Sequence, residues 1–201
     1  MCKLVIFDFD GTIVDSYDLI YDVISEYTKI KPNKQELKML PTKIGVKYFK
    51  LSKLDLMKVI LKIIDKHNKN LPLLKSFNGI KESLMHLKNQ SIQLVLLTSA
   101  GEEIYSFLSN NSLENIFEKV YRVNPFLQKA IALEKIISDF PIEKSDVYYV
   151  ADEPYDVIAA KKSGIKAVAV TWGYNDESVL RKYKPSYLID KPCKLKNLVS
   201  S

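Results

Sequence analysis

Apolar residues along this chain fall in short runs separated by amphipathic stretches. Leu4-Val5-Ile6-Phe7, Leu94-Val95-Leu96-Leu97, Val147-Tyr148-Tyr149-Val150 and Ala167-Val168-Ala169-Val170 are apolar at nearly every position, as strands covered on both faces of a parallel sheet are. Val120-Tyr121-Arg122-Val123 and Tyr187-Leu188-Ile189 are weaker strand candidates. Helical patterns over 79–89, 102–110, 128–140 and 154–163 lie between them. Strand and helix alternating at this cadence predict an α/β fold of βαβ units, a parallel sheet flanked by helices.

The interval from about 33 to 77 breaks the rhythm. Leu56, Met57, Ile60, Leu61, Ile63 and Ile64 recur there at helical spacing, punctuated by Pro32, Pro41 and Pro72, with no strand pattern. Strand patterns flank it, so the expected organisation is an α/β core of residues 1–15 and 78–201 with a small helical insertion at 16–77. Membership of these helices in the core itself is the alternative.

Composition narrows the class. Hydrophobic residues make up 47% and charged residues 27% of 201 positions, the mix of an ordinary globular protein. The net charge of +6 is spread over scattered lysines, which reads as solvated surface rather than a nucleic-acid stripe, so no nucleic-acid partner is expected. Cys2 and Cys193 with His67 and His86 are too few for a disulfide framework or a His/Cys metal cluster. The amino terminus turns acidic at Asp8 after a very short apolar run, unlike a signal peptide, and no run of about 18 apolar residues suggests a membrane span. A reduced, cytoplasmic protein, monomer or homodimer, is expected.

Chemistry is concentrated where the strand patterns end. In Phe7-Asp8-Phe9-Asp10-Gly11-Thr12 two carboxylates on an emerging strand point the same way, with Phe9 opposite. Side by side they repel unless one is protonated or a cation joins them, and a hard divalent cation such as Mg²⁺ suits oxygen ligands. Gly11 lets the backbone turn and present N–H groups to an anion; an acidic turn capping the next helix is the plainer reading. Thr98 and Ser99 form a hydroxyl pair at the end of another strand, equally suited to capping a helix. Lys129 opens a helix against its macrodipole and needs solvent or an anion to hold it. Val150-Ala151-Asp152-Glu153-Pro154-Tyr155-Asp156 is a second acidic cluster after a strand: Pro154 suits a first helical turn, Asp152 or Glu153 its cap, and Asp152 and Asp156 share a face. In open α/β sheets ligands bind beyond the carboxyl ends of the strands, so these groups converge on one crevice suited to metal-assisted phosphate chemistry.

These motifs resemble those of haloacid dehalogenase-superfamily phosphatases, in the subgroup similar to phosphoglycolate phosphatases, over nearly the whole chain. The first motif maps onto Asp8 and Asp10, the second onto Thr98, the third onto Lys129 and the fourth onto Asp152 and Asp156. The stretch 166–174, ahead of Lys184-Pro185-Ser186-Tyr187-Leu188-Ile189, resembles the family's carboxyl-terminal end. Ala151 stands where the family usually has glycine and Ser99 where asparagine is frequent. No Lys-Pro pair marks the third motif, leaving Lys119 and Lys135 as rivals to Lys129.

The resemblance implies a Rossmann-like sheet with an inserted α-helical cap and a Mg²⁺-dependent phosphatase acting on a small, phosphoglycolate-like phosphomonoester. Asp8 would be the nucleophile, forming an aspartyl-phosphate, and Asp10 the general acid and base. Asp8, the Asp10 carbonyl and Asp152 would hold Mg²⁺. Thr98, Ser99 and Lys129 would bind the phosphoryl group, with Asp156 and Glu153 in support. Lys43, Gly45 and Lys47 resemble the cap's substrate loop; a helix-start turn with exposed lysines explains them as well. A phosphomutase of the same superfamily, or a catalytically silent binding or regulatory protein on this fold, are the alternatives. A dehalogenase is disfavoured by Asp10, an acid/base group that carbon–halogen cleavage does not need there.

Overall fold

A computed structural model describes residues 3–31, 33–40, 49–124 and 128–199. Six parallel strands, β1 (Leu4–Asp8), β2 (Gln93–Thr98), β3 (Lys119–Arg122), β4 (Val147–Ala151), β5 (Lys166–Val170) and β6 (Tyr187–Ile189), form one sheet in the order β3-β2-β1-β4-β5-β6. All four strong apolar runs are strands, and β3 lies one residue earlier than its pattern suggests. β1 is central: Phe7 is in register with Leu96 of β2 and with Val150 of β4. The chain order reverses direction at β1, between its neighbours β2 and β4, which opens a crevice at their carboxyl ends.

The pleat sorts the strand residues onto two faces. Val5, Phe7, Leu94, Leu96, Tyr148 and Val150 pack on one side beneath Ile80, Leu84 and Leu87 of α4 (Ile80–Asn89) and Ile104 and Phe107 of α5 (Glu103–Asn110). Leu4, Ile6, Val95, Leu97, Tyr149 and Ala151 face the other way. They are covered by Leu133 and Ile136 of α6 (Lys129–Ser138), Val157 and Ala160 of α7 (Pro154–Lys162) and Leu180 of α8 (Glu177–Arg181). Phe9 continues the first face. Asp8, in step with Leu4 and Ile6, is therefore directed to the side roofed by α6 and α7, which fixes which helices can reach it.

Between β1 and α4 the chain forms α1 (Tyr17–Thr28), α2 (Lys34–Lys38) and α3 (Lys53–Asn70). Ser52 begins α3 with a reciprocal cap, accepting from the Asp55 N–H at 3.1 Å while its hydroxyl donates to the Asp55 carboxylate at 2.7 Å. These helices bury little, Val23 and Ser25 on α1 and Val59 and His67 on α3, because they pack on each other and on the rim of the crevice rather than on the sheet. The chain leaves and returns side by side. The Asp15 N–H donates to the Lys75 carbonyl at 3.2 Å and the Phe77 N–H to the Ile13 carbonyl at 3.0 Å. No helix among the described residues is long and apolar enough to cross a membrane.

Candidate active site

Asp8 is the last residue of β1 and is almost fully buried. Lys129, the first residue of α6, places its Nζ 2.9 Å from Asp8 Oδ2 and 2.6 Å from Asp156 Oδ1. Asp156 projects from the first turn of α7, and its Oδ1 also accepts from the Tyr149 hydroxyl at 3.2 Å. The lysine at the positive end of a helix is thus held by two carboxylates, which offset the unfavourable macrodipole. Lys119 lies elsewhere, paired with Asp139 at 3.0 Å, and Lys135 is exposed on α6.

Asp152, wholly buried just past β4, accepts from the Thr12 hydroxyl at 3.1 Å and from the Tyr174 N–H at 2.7 Å. It does not cap α7, and Glu153, which precedes that helix, makes no side-chain cap bond either. Two glycines let the loops close around Asp152. A Cβ on Gly11, whose φ is +73°, would overlap its carboxylate, and one on Gly173 would overlap both the Gly11 carbonyl and that carboxylate.

Asp8, Asp152 and Asp156 each offer a carboxylate oxygen within 4.8 Å of the others. Of these three buried carboxylates Lys129 pairs with two, Asp8 and Asp156, and Asp156 Oδ2 is buried without a hydrogen-bond partner. This set is one cation short, and all its donors are hard oxygens, so the residues fit a divalent ion such as Mg²⁺. Burial pushes the Asp8 carboxyl up to about 7, with Asp156 adding to the rise and Lys129 opposing it. Burial also raises Asp152 well above the carboxylate range, reinforced by Glu153 and Asp8. For Lys129 burial acts in the opposite sense, but Asp156 and Asp8 outweigh it and hold the ammonium firmly charged.

Asp10 sits at the rim. Its Oδ1 accepts from the Ser16 hydroxyl at 2.6 Å and lies 2.7 Å from His67 Nε2 at the end of α3. The Ser16 oxygen in turn lies 2.6 Å from the Tyr174 hydroxyl. Since Ser16 gives its proton to Asp10, Tyr174 is the donor in that second bond. Burial alone would raise Asp10, yet the charge and hydrogen bond of His67, with the bond from Ser16, bring it below the usual carboxylate value. Burial likewise opposes a charged His67, and Asp10 reverses that.

Thr98 ends β2 buried, and its Oγ1 accepts from the Ala100 N–H at 3.0 Å, shaping the loop rather than capping α5. Asp8, Asp10, Thr98, Ser99, Lys129 and Glu153 line one cavity of about 140 Å³. Asp152 and Asp156 do not line that cavity but lie beside Asp8, so the residues nominated at the strand ends gather in one region. Lys43, Gly45 and Lys47 lie outside the described residues.

The sequence places this arrangement in a family. The family model of haloacid dehalogenase-like hydrolases matches residues 5–170. The chain belongs to that family. Among relatives of the haloacid dehalogenase-like hydrolase, a protein of Synechococcus elongatus named phosphoglycolate phosphatase is 32% identical, over 98% of this chain and 97% of its own length. A Bacillus mycoides relative named pyrophosphatase PpaX is 24% identical over 98% and 96%. The fold is shared with a Clostridium acetobutylicum protein described as a predicted phosphatase, at a TM-score of 0.82 and 21% identity covering 98% and 97% of the two chains.

Sequence reasoning assigned no role to Ser16, His67 or Tyr174. His67 had a signal, since it extends the Ile60, Ile63, Ile64 spacing by one more helical step. Tyr174 lay within the quoted carboxyl-terminal stretch, but nothing local to it reveals that its hydroxyl reaches Ser16.

Proposed function

We propose that this chain is a Mg²⁺-dependent phosphatase of small phosphomonoesters, phosphoglycolate-like in size, working through an aspartyl-phosphate, with residues 16–77 as its cap. The observation that carries this reading is Lys129 Nζ bridging Asp8 and Asp156 at the mouth of the three-carboxylate cluster. A carboxylate that must meet a phosphate dianion needs its own charge balanced, and Lys129 does this for Asp8. Asp8, the Asp10 carbonyl and Asp152 would hold Mg²⁺, which supplies further neutralisation of the phosphoryl oxygens facing Asp8.

An Asp8 oxygen forms the bond to phosphorus while the bond to the leaving oxygen breaks and its electron pair stays with that oxygen. Asp10 delivers a proton to the departing alkoxide. Asp10 is ionised at rest, so the proton must reach it first, and His67, 2.7 Å away, is the adjacent group that can hold one. In the second half Asp10 takes a proton from water as the water oxygen attacks phosphorus, releasing phosphate and restoring Asp8. Thr98, Ser99 and Lys129 bind the phosphoryl oxygens through both steps. Asp156 keeps Lys129 aimed at Asp8.

Phosphate release from a panel of small phosphomonoesters, with Mg²⁺ and then with EDTA, tests the reading. Asp8→Asn and chelation should each abolish release, chelation reversibly; turnover that survives both would refute it. Free phosphate rather than an isomeric phosphate ester as the product separates this reading from a mutase.

A further inference from the structure

A second void of about 210 Å³ opens between α1, α3 and the β2–α5 loop. Asp10 and Ser99 line both this void and the phosphoryl cavity, so the two are joined at the carboxylate assigned to protonate the leaving oxygen. Resting on the phosphatase reading, that junction makes the second void the seat of the ester's alcohol.

Most of the surface of its described walls is apolar. Ile20 of α1 and Ile60, Ile63 and Ile64 of α3 line it, each only partly buried. The i, i+3, i+4 spacing puts the three α3 isoleucines on one helix face, and His67 continues that face toward Asp10. Both polar neighbours on α3 are engaged: His67 Nε2 with Asp10 at 2.7 Å, and Asn68 Oδ1 with the Gly101 N–H at 3.2 Å. These two bonds tie consecutive residues of the helix to the two loops that carry Asp10 and Ser99, so the isoleucine face is held against the reacting end of the site. Isoleucine walls gain from an apolar ligand in proportion to the area covered. A carboxylate or second phosphate placed there would lose its hydration against four isoleucines, and His67, the one cationic side chain of the described lining, is already engaged by Asp10.

We propose that this void takes the leaving alcohol and selects an apolar one, so that the chain accepts monophosphates of compact branched-alkyl or aryl alcohols ahead of esters bearing a second anion. This goes beyond the names of the relatives, phosphoglycolate and pyrophosphate each carrying that second anion.

Calorimetric titration of Asp8→Asn protein with Mg²⁺ present tests this without any need for turnover. The probes are methyl, butyl and isopentyl phosphate, phosphoglycolate and pyrophosphate. Affinity should rise about fourfold per added methylene along the alkyl series. Isopentyl phosphate should bind at least about tenfold more tightly than phosphoglycolate. Replacing both Ile63→Asn and Ile64→Asn should flatten the series. A flat series in the otherwise native pocket, or tighter binding of phosphoglycolate or pyrophosphate than of isopentyl phosphate, would overturn the proposal. The alkyl preference in binding, with no ester hydrolysed by the native protein, would uphold the subsite and reject the phosphatase reading.

Discussion

His67 Nε2 stands 2.7 Å from Asp10 Oδ1, although 57 positions separate the two residues. One residue lies on α3 and the other on the loop after the central strand, so α3 reaches the rim of the crevice at the end of β1. With Oδ1 held by both Ser16 and His67, Asp10 has one oxygen fixed by the protein.

His67→Ala should lower kcat/KM, which reports the phosphoryl-transfer half of the reaction, by about a hundredfold for alkyl phosphates, the scale of a lost acid–base contribution. For acetyl phosphate, whose leaving acetate needs no proton, the loss should be small. His67→Asn, which can still donate to Asp10, should restore orientation but not the proton. Steady-state kinetics on the two donors checks this; equal losses in kcat/KM on both would show that His67 does not supply the leaving group's proton.

The raised Asp8 pKa sets a pH dependence of stability. Folded Asp8 keeps its proton up to about 7, whereas the unfolded carboxyl loses it near 3.8. Between those values the folded state binds the extra proton, so the metal-free protein should lose stability as pH rises from about 4 to about 7. Asp8→Asn should reduce that slope. Mg²⁺ binds the ionised carboxylates, so its stabilisation should be larger at pH 8 than at pH 5.5. At a hundredfold excess over its Kd it contributes about 2.7 kcal/mol, or about 5–10 °C in Tm for a chain this long. Thermal melts across pH with and without Mg²⁺ measure both effects.

Lys129→Ala should cost at least a hundredfold in kcat/KM, because it removes the cation between Asp8 and Asp156 and, in the proposed mechanism, a ligand of the phosphoryl oxygens. Lys135→Ala, on the exposed side of the same helix, should leave turnover within twofold or so. Kinetics of the two variants side by side decides the matter; the reverse order would contradict the geometry.

The strand-end carboxylates were legible in the chain because local rules place them. A run apolar on both faces reads as a central parallel strand, and ligands gather where such strands end. That rule nominated Asp8, Asp10, Asp152 and Asp156 while leaving a helix-capping reading open, and their separate roles came from the family resemblance. Lys129 was legible only as a lysine at the wrong end of a helix dipole, with two rivals that only the packing of α6 over the Asp8 face separates. Ser16, His67 and Tyr174 were hidden for a different reason. Their meeting depends on how α1 and α3 dock across the crevice and how the loop after β5 folds under them, which is tertiary contact between segments as far apart as 158 positions. The residues of 16–77 told of helices, and their spacing told which face was apolar. What that face looks onto emerged only when the sheet was in place.

The central claim is that Asp8 becomes phosphorylated. Asp10→Asn protein given acetyl phosphate and Mg²⁺ isolates that step, since the donor needs no acid to leave and the variant lacks the base for hydrolysis. Rapid acid quenching and peptide mass analysis should find one phosphoryl group on the peptide carrying Asp8, and none in the Asp8→Asn, Asp10→Asn double variant. A phosphoryl group on another residue, or its absence while phosphate is still released, would contradict the account.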